Sequence, residues 1–161
     1  MKRLLLIFGL LISCNTHAQP QSELREKLYG VWSLDCANPQ QARFIRTAST
    51  IGDDVYEAKD ANGKIIATGT YKVEFITATK FKLKATAKSN LNQEIYTSNS
   101  IAEFLENGAF NKYITLSSHT TNTKGETFII ERRGSNVYRK TYGEKEAKPY
   151  DGNLITEKCL N

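Results

Sequence analysis

From residue 31 onward, apolar and polar side chains alternate with a period close to two. In VWSLDC (31–36), Trp32, Leu34 and Cys36 share one face and Val31, Ser33 and Asp35 the other. In YKVEF (71–75), Tyr71, Val73 and Phe75 alternate with Lys72 and Glu74. In KFKLKATAK (80–88), Phe81, Leu83 and Ala85 alternate with lysines. Successive side chains of a strand point to opposite faces, so the pattern predicts strands with one buried and one solvated side. Tyr71, Val73, Phe75, Phe81 and Leu83 form the expected inward set. Lys80, Lys82, Lys84 and Lys88 read as a solvated face that discourages edge-to-edge association, an anionic-ligand patch being the alternative.

Turn signals separate these runs. Asn62-Gly63 and Asn107-Gly108 suit two-residue type I′ hairpin turns, whose central positions both need positive φ. Gly125, Gly134, Gly143 and Asp151-Gly152 punctuate the second half, between YITLSS, TFIIER, NVYRKTY and LITEKC. Many short strands at regular spacing predict an all-β sandwich or barrel. Two segments depart from the period of two. SELREKLYG (22–30) reads as a short helix, with Ser22 as N-cap, Glu23 in the first turn and Gly30 at its end. SIAEFLENG (100–108) pairs Ser100 with Glu103 as in a capping box and spaces Ile101, Phe104 and Leu105 helically. The surrounding β pattern and the Asn-Gly pair favour the first arm of a hairpin, a short helix over a barrel mouth being the alternative.

The first residues have the layout of an export signal. Lys2 and Arg3 precede the apolar LLLIFGLLI (4–12), which is too short for a bilayer span of about 20 apolar residues. No other stretch is long and apolar enough for a transmembrane span. Thr16 and Ala18 suit cleavage after Ala18. LISC (11–14) resembles a bacterial lipobox, in which Cys14 is lipidated and becomes the new N-terminus. The preferred division is a signal peptide over 1–18 and one β-barrel domain over 19–161, with a short N-terminal helical arm at 19–29. The expected location is periplasmic or secreted, the alternative being an envelope-anchored lipoprotein through Cys14. Without Lys2 and Arg3 the 22 basic and 17 acidic residues become 20 against 17, a mild +3. In an exported protein that makes no case for a nucleic-acid partner and permits only a weak preference for anionic surfaces.

Either processing route leaves two cysteines, Cys36 and Cys159. In an oxidising compartment such a pair reads as one disulfide, two free thiols being the alternative. In a closed antiparallel barrel the first and last strands are neighbours. A bridge between Cys36 at the end of the first strand and Cys159 at the end of the last would lock the closure. Trp32 would then plug one end, capped by the short helix. Gly30 and Trp32, just after a helical turn and at the opening of the first strand, resemble the Gly-x-Trp opening of the lipocalins and their wider calycin relatives. The resemblance implies a single antiparallel up-and-down barrel of about 8–10 strands with the tryptophan at its closed end. It also implies a basic side chain packed over that ring, Lys158 or Arg139, and room for a small apolar or amphipathic ligand among the inward set.

No catalytic arrangement stands out. His119 is the only histidine after the signal and reads as a solvated residue near a loop end. Asp53-Asp54 suit a turn better than an acid–base pair, because adjacent strand residues face opposite ways. C-x-x-C spacing, a Gly-rich phosphate loop and an Asp-rich calcium loop are all missing from the sequence. The expectation is a protein that is not an enzyme and uses no cofactor or metal. It would be a carrier or sensor in the cell envelope for a small hydrophobic or amphipathic ligand. The alternative is an interaction module on an envelope protein, such as an exported protease or lysozyme inhibitor acting through its loops. An enzyme built from dispersed carboxylates ranks last. A cavity favours the first, a filled core with a protruding segment the second, and converging carboxylates the third.

Overall fold

The computed structural model describes residues 21–105 and 110–160. The expected signal peptide, Cys14 and the Asn107-Gly108 turn lie outside the described residues. One helix, α1 (Gln21–Glu26), precedes eleven strands. These are β1 (Gly30–Ser33), β2 (Arg43–Thr47), β3 (Asp54–Lys59), β4 (Ile65–Phe75), β5 (Lys80–Ser89), β6 (Ile95–Phe104), β7 (Lys112–Asn122), β8 (Thr127–Arg133), β9 (Asn136–Lys140), β10 (Lys148–Pro149) and β11 (Ile155–Lys158). Eight of them close into an antiparallel barrel. β1 to β7 pair in chain order, and β11 returns between β7 and β1. β7 serves two partners along one edge: Lys112 to Ile114 pair with β11, and Ser118 to Thr121 pair with β8. β8, β9 and β10 thus leave the barrel as a flap before the chain comes back to close it. Among the described residues no helix is long and apolar enough to cross a membrane.

One end of the barrel is filled. Leu28, Trp32, Phe81, Ala102, Phe104 and Tyr113 form its buried cluster, with Phe44, Val73, Phe75, Leu83 and Phe110 packed against it. Trp32 and Phe81 are fully buried. Ring centroids lie 5.1 Å apart for Trp32–Tyr113 and for Phe81–Phe104. The Gly-x-Trp spacing has a physical cause here. The Trp32 Nε1–H donates to the Leu28 carbonyl at 2.8 Å, which ties the strand to the turn after α1. Gly30 has φ +116°, and a Cβ there would lie 2.8 Å from Lys158 Cε. The Lys158 stem lies where a side chain on residue 30 would go. Its Nζ sits 5.8 Å from the Trp32 ring centroid and donates to the Lys27 carbonyl at 3.3 Å. Of the two expected candidates, Lys158 is therefore the one near the plug, which it shares with Arg46, 5.5 Å from the same centroid. Arg139 is elsewhere, stacked 4.3 Å from the Tyr150 ring centroid in the flap.

Cys36 and Cys159 are disulfide-bonded, with Cα atoms 5.3 Å apart. β1 stops at Ser33, however, so Cys36 does not end the strand. Leu34 is exposed, and the Asp35 carboxylate accepts the Ala37 and Asn38 N–H groups in a turn. That turn brings Cys36 beside the end of β11, where its N–H donates to the Glu157 carboxylate at 2.7 Å.

A second tie fixes α1. Arg25 Nε donates to Asp54 Oδ2 at 2.6 Å, and Nη2 pairs with Oδ1. Asp54, at the start of β3, is 1% exposed. Burial pushes its carboxyl up and is the largest single influence. Together the Arg25 bonds, the Ser49 N–H, the Arg25 charge and the Tyr29 hydroxyl outweigh it and hold the carboxyl below its ordinary value. Asp53 turns the other way and meets Lys72 at 3.3 Å.

Two local expectations are corrected and one is borne out. Asn62 does not adopt positive φ. Gly63 does, and Asp60 bonds Gly63 and Lys64 across the loop, so a type I turn with a left-handed glycine replaces type I′. His119 lies within β7, on its exposed face between Asn99 and Ile129, and not near a loop end. The 100–108 segment is strand as far as Phe104, paired to Tyr113, so the hairpin reading of its first arm holds and the helix does not form.

Candidate ligand-binding cavity

Beyond the aromatic plug, the inward residues become small. Ala85 and Ala87 on β5 face in, and Gly69 on β4 pairs with Ala87. A Cβ on Gly69 would overlap the Thr86 carbonyl and lie 2.8 Å from Ala87 Cα and 2.9 Å from the Tyr56 ring. The close approach of β4 to β5 therefore requires glycine at this position. A cavity of about 270 Å³ remains inside the barrel. Phe44, Tyr56, Tyr71 and Tyr96 give it aromatic walls, Leu83, Ala85 and Ala87 an aliphatic one, and Ser98 and Thr120 a hydroxyl strip. The strip is ordered by the bond from Thr120 Oγ1 to Ser98 Oγ at 3.0 Å, and the hydroxyl chain continues past the cavity lining through Ser100 to Ser118.

Arg46 also lines the cavity, on the inward face of β2 next to Phe44. Its guanidinium lies 5.3, 5.5 and 6.0 Å from the ring centroids of Tyr113, Trp32 and Tyr71. Nη2 donates to the Tyr113 hydroxyl at 2.7 Å. Nη1 is shielded from solvent and has no hydrogen-bond partner, and neither has the Tyr71 hydroxyl. Among the described residues no carboxylate, imidazole or thiol lines this space. Burial raises the Tyr71 hydroxyl far above its ordinary value, with the Arg46 charge pulling partly back, and Tyr56 shifts the same way for the same reasons. Both phenols therefore remain protonated donors at neutral pH. The site can hold a molecule with an apolar body and a hydrogen-bond acceptor, and it offers no general base.

The expected inward set divides between different places. Tyr71 and Leu83 line the cavity. Phe81 is part of the plug and fully buried. Val73 and Phe75 pack against that cluster and face an outer cleft of about 400 Å³ beside Ser22 and Arg25 of α1. Tyr71 borders both spaces. The lysine run points outward, and Lys84 and Lys88 are exposed. Arg46, Tyr56, Tyr96, Ser98 and Thr120 are absent from the sequence-based set. In RFIRT the apolar Phe44 and Ile45 fall on opposite faces, so only knowing that Phe44 faces in would place Arg46 there too. Tyr142, from the turn after β9, packs on Tyr96 and Phe128 with centroids 5.6 and 6.1 Å away. The flap thus reaches a wall residue of the cavity. Among the described residues, no group of three His, Cys, Asp or Glu side chains could hold a metal ion.

The chain matches no model of a known protein family, no curated protein and no solved structure.

Proposed function

We propose that this protein is an exported, calycin-like carrier or sensor that takes one small amphipathic molecule into its barrel. The observation behind this reading is the cavity of about 270 Å³, apolar on most sides with a hydroxyl strip and a cationic floor. An eight-stranded barrel is near the size at which side chains either fill the interior or leave room for one small ligand. Here Ala85, Ala87 and Gly69 tip the balance toward room. The disulfide, the signal-like N-terminus and the tryptophan plug are compatible with an exported barrel of this kind. Cleavage after Ala18 yields a chain starting at Gln19, whereas acylation at Cys14 yields a heavier, detergent-soluble chain. Intact mass spectrometry of native material separates the two, and a full-length cytoplasmic chain sinks both.

The decisive test uses protein purified from its own envelope, analysed by native mass spectrometry and then by organic extraction. The expected result is one reproducibly bound small molecule. A ligand-free protein that also shows no thermal shift across a panel of lipids and aromatic compounds overturns the carrier. It would transfer the role to the β8–β10 flap as an interaction surface.

A further inference from the structure

Among the described residues the interior cation Arg46 has no counter-ion. Arg46 makes no ion pair with an acidic side chain among the described residues; Asp54, which interacts electrostatically with Tyr71, is already engaged by Arg25. Three aromatic faces around the guanidinium offset part of the cost of its charge. They do nothing for the unmade hydrogen bond at Nη1, and a buried donor left unpaired is costly. The hydroxyl of Tyr71, whose ring centroid lies 6.0 Å from the guanidinium, is unpaired as well. A guanidinium is a permanent cation with donors only, and a protonated phenol can donate. Two orphaned donors, one positive charge and no carboxylate in the cavity wall together describe half of an anion site.

We infer that the ligand is a small monoanion, a carboxylate with an apolar tail, seated head-down, its entry shifting the two side chains so that its oxygens meet Arg46 Nη1 and the Tyr71 hydroxyl, which are shielded in the ligand-free structure. The inference rests on the carrier reading and adds the charge and the orientation of the ligand. One unpaired positive charge matches one negative charge, which favours a carboxylate over a phosphate dianion. The tail lies along Leu83, Ala85 and Ala87 toward Tyr96. At about 30 Å³ of liquid volume per water-sized group, the cavity takes a molecule of about ten heavy atoms. The outward Lys80, Lys82 and Lys84 play no part in holding the head.

Octanoate and octanamide each have about ten heavy atoms and differ in charge at the head, which makes them suitable probes for a cavity of this size. Calorimetry on the full barrel, stripped of bound material, is expected to show octanoate binding at least about tenfold tighter than octanamide, as charge-assisted hydrogen bonds require. Arg46→Met should remove the preference and bind the two alike. Tyr71→Phe should weaken octanoate several-fold while keeping the preference. Lys84→Gln should leave both affinities unchanged. The comparison in the unaltered protein needs no variant, so a misfolded Arg46→Met would not remove the test. Equal binding of the two probes overturns the anionic head and leaves the carrier standing. Binding of neither probe, with no native ligand extracted, overturns both. A preference that survives in folded Arg46→Met but is lost in Lys84→Gln would move the head to the rim and overturn the assignment to Arg46.

Discussion

At the scale of single residues, two side chains carry much of the closed end. Trp32 is fully buried against Tyr113 and bonded to the Leu28 carbonyl. Trp32→Ala should cost about 3–5 kcal/mol, since it removes a large aromatic and leaves a cavity. A denaturant titration measures this, and a change near zero would mean the plug contributes nothing. Asp54 is the buried half of an ion pair whose other half, Arg25, is 41% exposed. Arg25→Met leaves the carboxylate buried with only the Ser49 N–H and the Tyr29 hydroxyl. The loss at pH 7 should be about 2 kcal/mol, below that for a fully buried pair because solvent screens Arg25. The folded-state value of Asp54 is depressed, so its contribution is complete above the unfolded value of about 3.9 and is lost as pH falls through the folded value. Without Arg25 the carboxyl titrates higher. The deficit of Arg25→Met should therefore shrink between pH 7 and pH 3. Urea titrations at the two pH values check this, and a deficit that grows on acidification contradicts it.

Among the elements, the closure of β1 on β11 is the weak seam. Only Trp32↔Lys158 and Ser33↔Glu157 pair there, far fewer positions than link β4 to β5. The disulfide staples this seam across a separation of 123 residues. The chain-entropy model gives about 4–5 kcal/mol for a loop of that length. The double variant Cys36→Ser/Cys159→Ser should lose stability of that order in denaturant. Non-reducing peptide mapping of the parent should recover one linked pair, and two alkylatable thiols would refute the staple. The β4–β5 contact is tight at Gly69. Gly69→Ala forces a methyl into the β5 backbone and should destabilise the barrel by about 1–3 kcal/mol, a cost typical of overpacking. A thermal melt unchanged from the parent would show that the strands part more easily than their spacing implies.

For the whole molecule, the flap that leaves the barrel at β7 brings Tyr142 onto Tyr96 at the edge of the cavity. Tyr142→Ala removes a partly exposed ring and should change stability by no more than about 0.5 kcal/mol. A captured ligand should nevertheless dissociate faster, measured by stopped-flow displacement; an unchanged rate would make the flap a bystander. Much of this architecture was legible in the sequence because its signals are local. Alternation in YKVEF and KFKLKATAK marks strands wherever they end up. Cys36 and Cys159, the two cysteines in the strand-patterned part of the chain, allow one intrachain bond. A glycine before an isolated tryptophan has few other uses than a tight approach. What escaped is non-local. Parity says that Tyr71, Val73, Phe75, Phe81 and Leu83 face one way, but not how high each sits in the barrel, so plug, wall and outer-cleft residues looked alike. Arg46 was hidden because the Phe44↔Trp32 register, between residues twelve apart in sequence, sets which face of β2 is inside. The splitting of β7 between β8 and β11 could not be read from any one segment. The sequence by itself determined the all-β fold and supplied the residues that plug and staple it. Tertiary structure alone decided where the interior is filled, where it stays open, and that a lone cation faces the opening. Side-chain direction is a property of one strand, whereas depth and opposition depend on how all eight close.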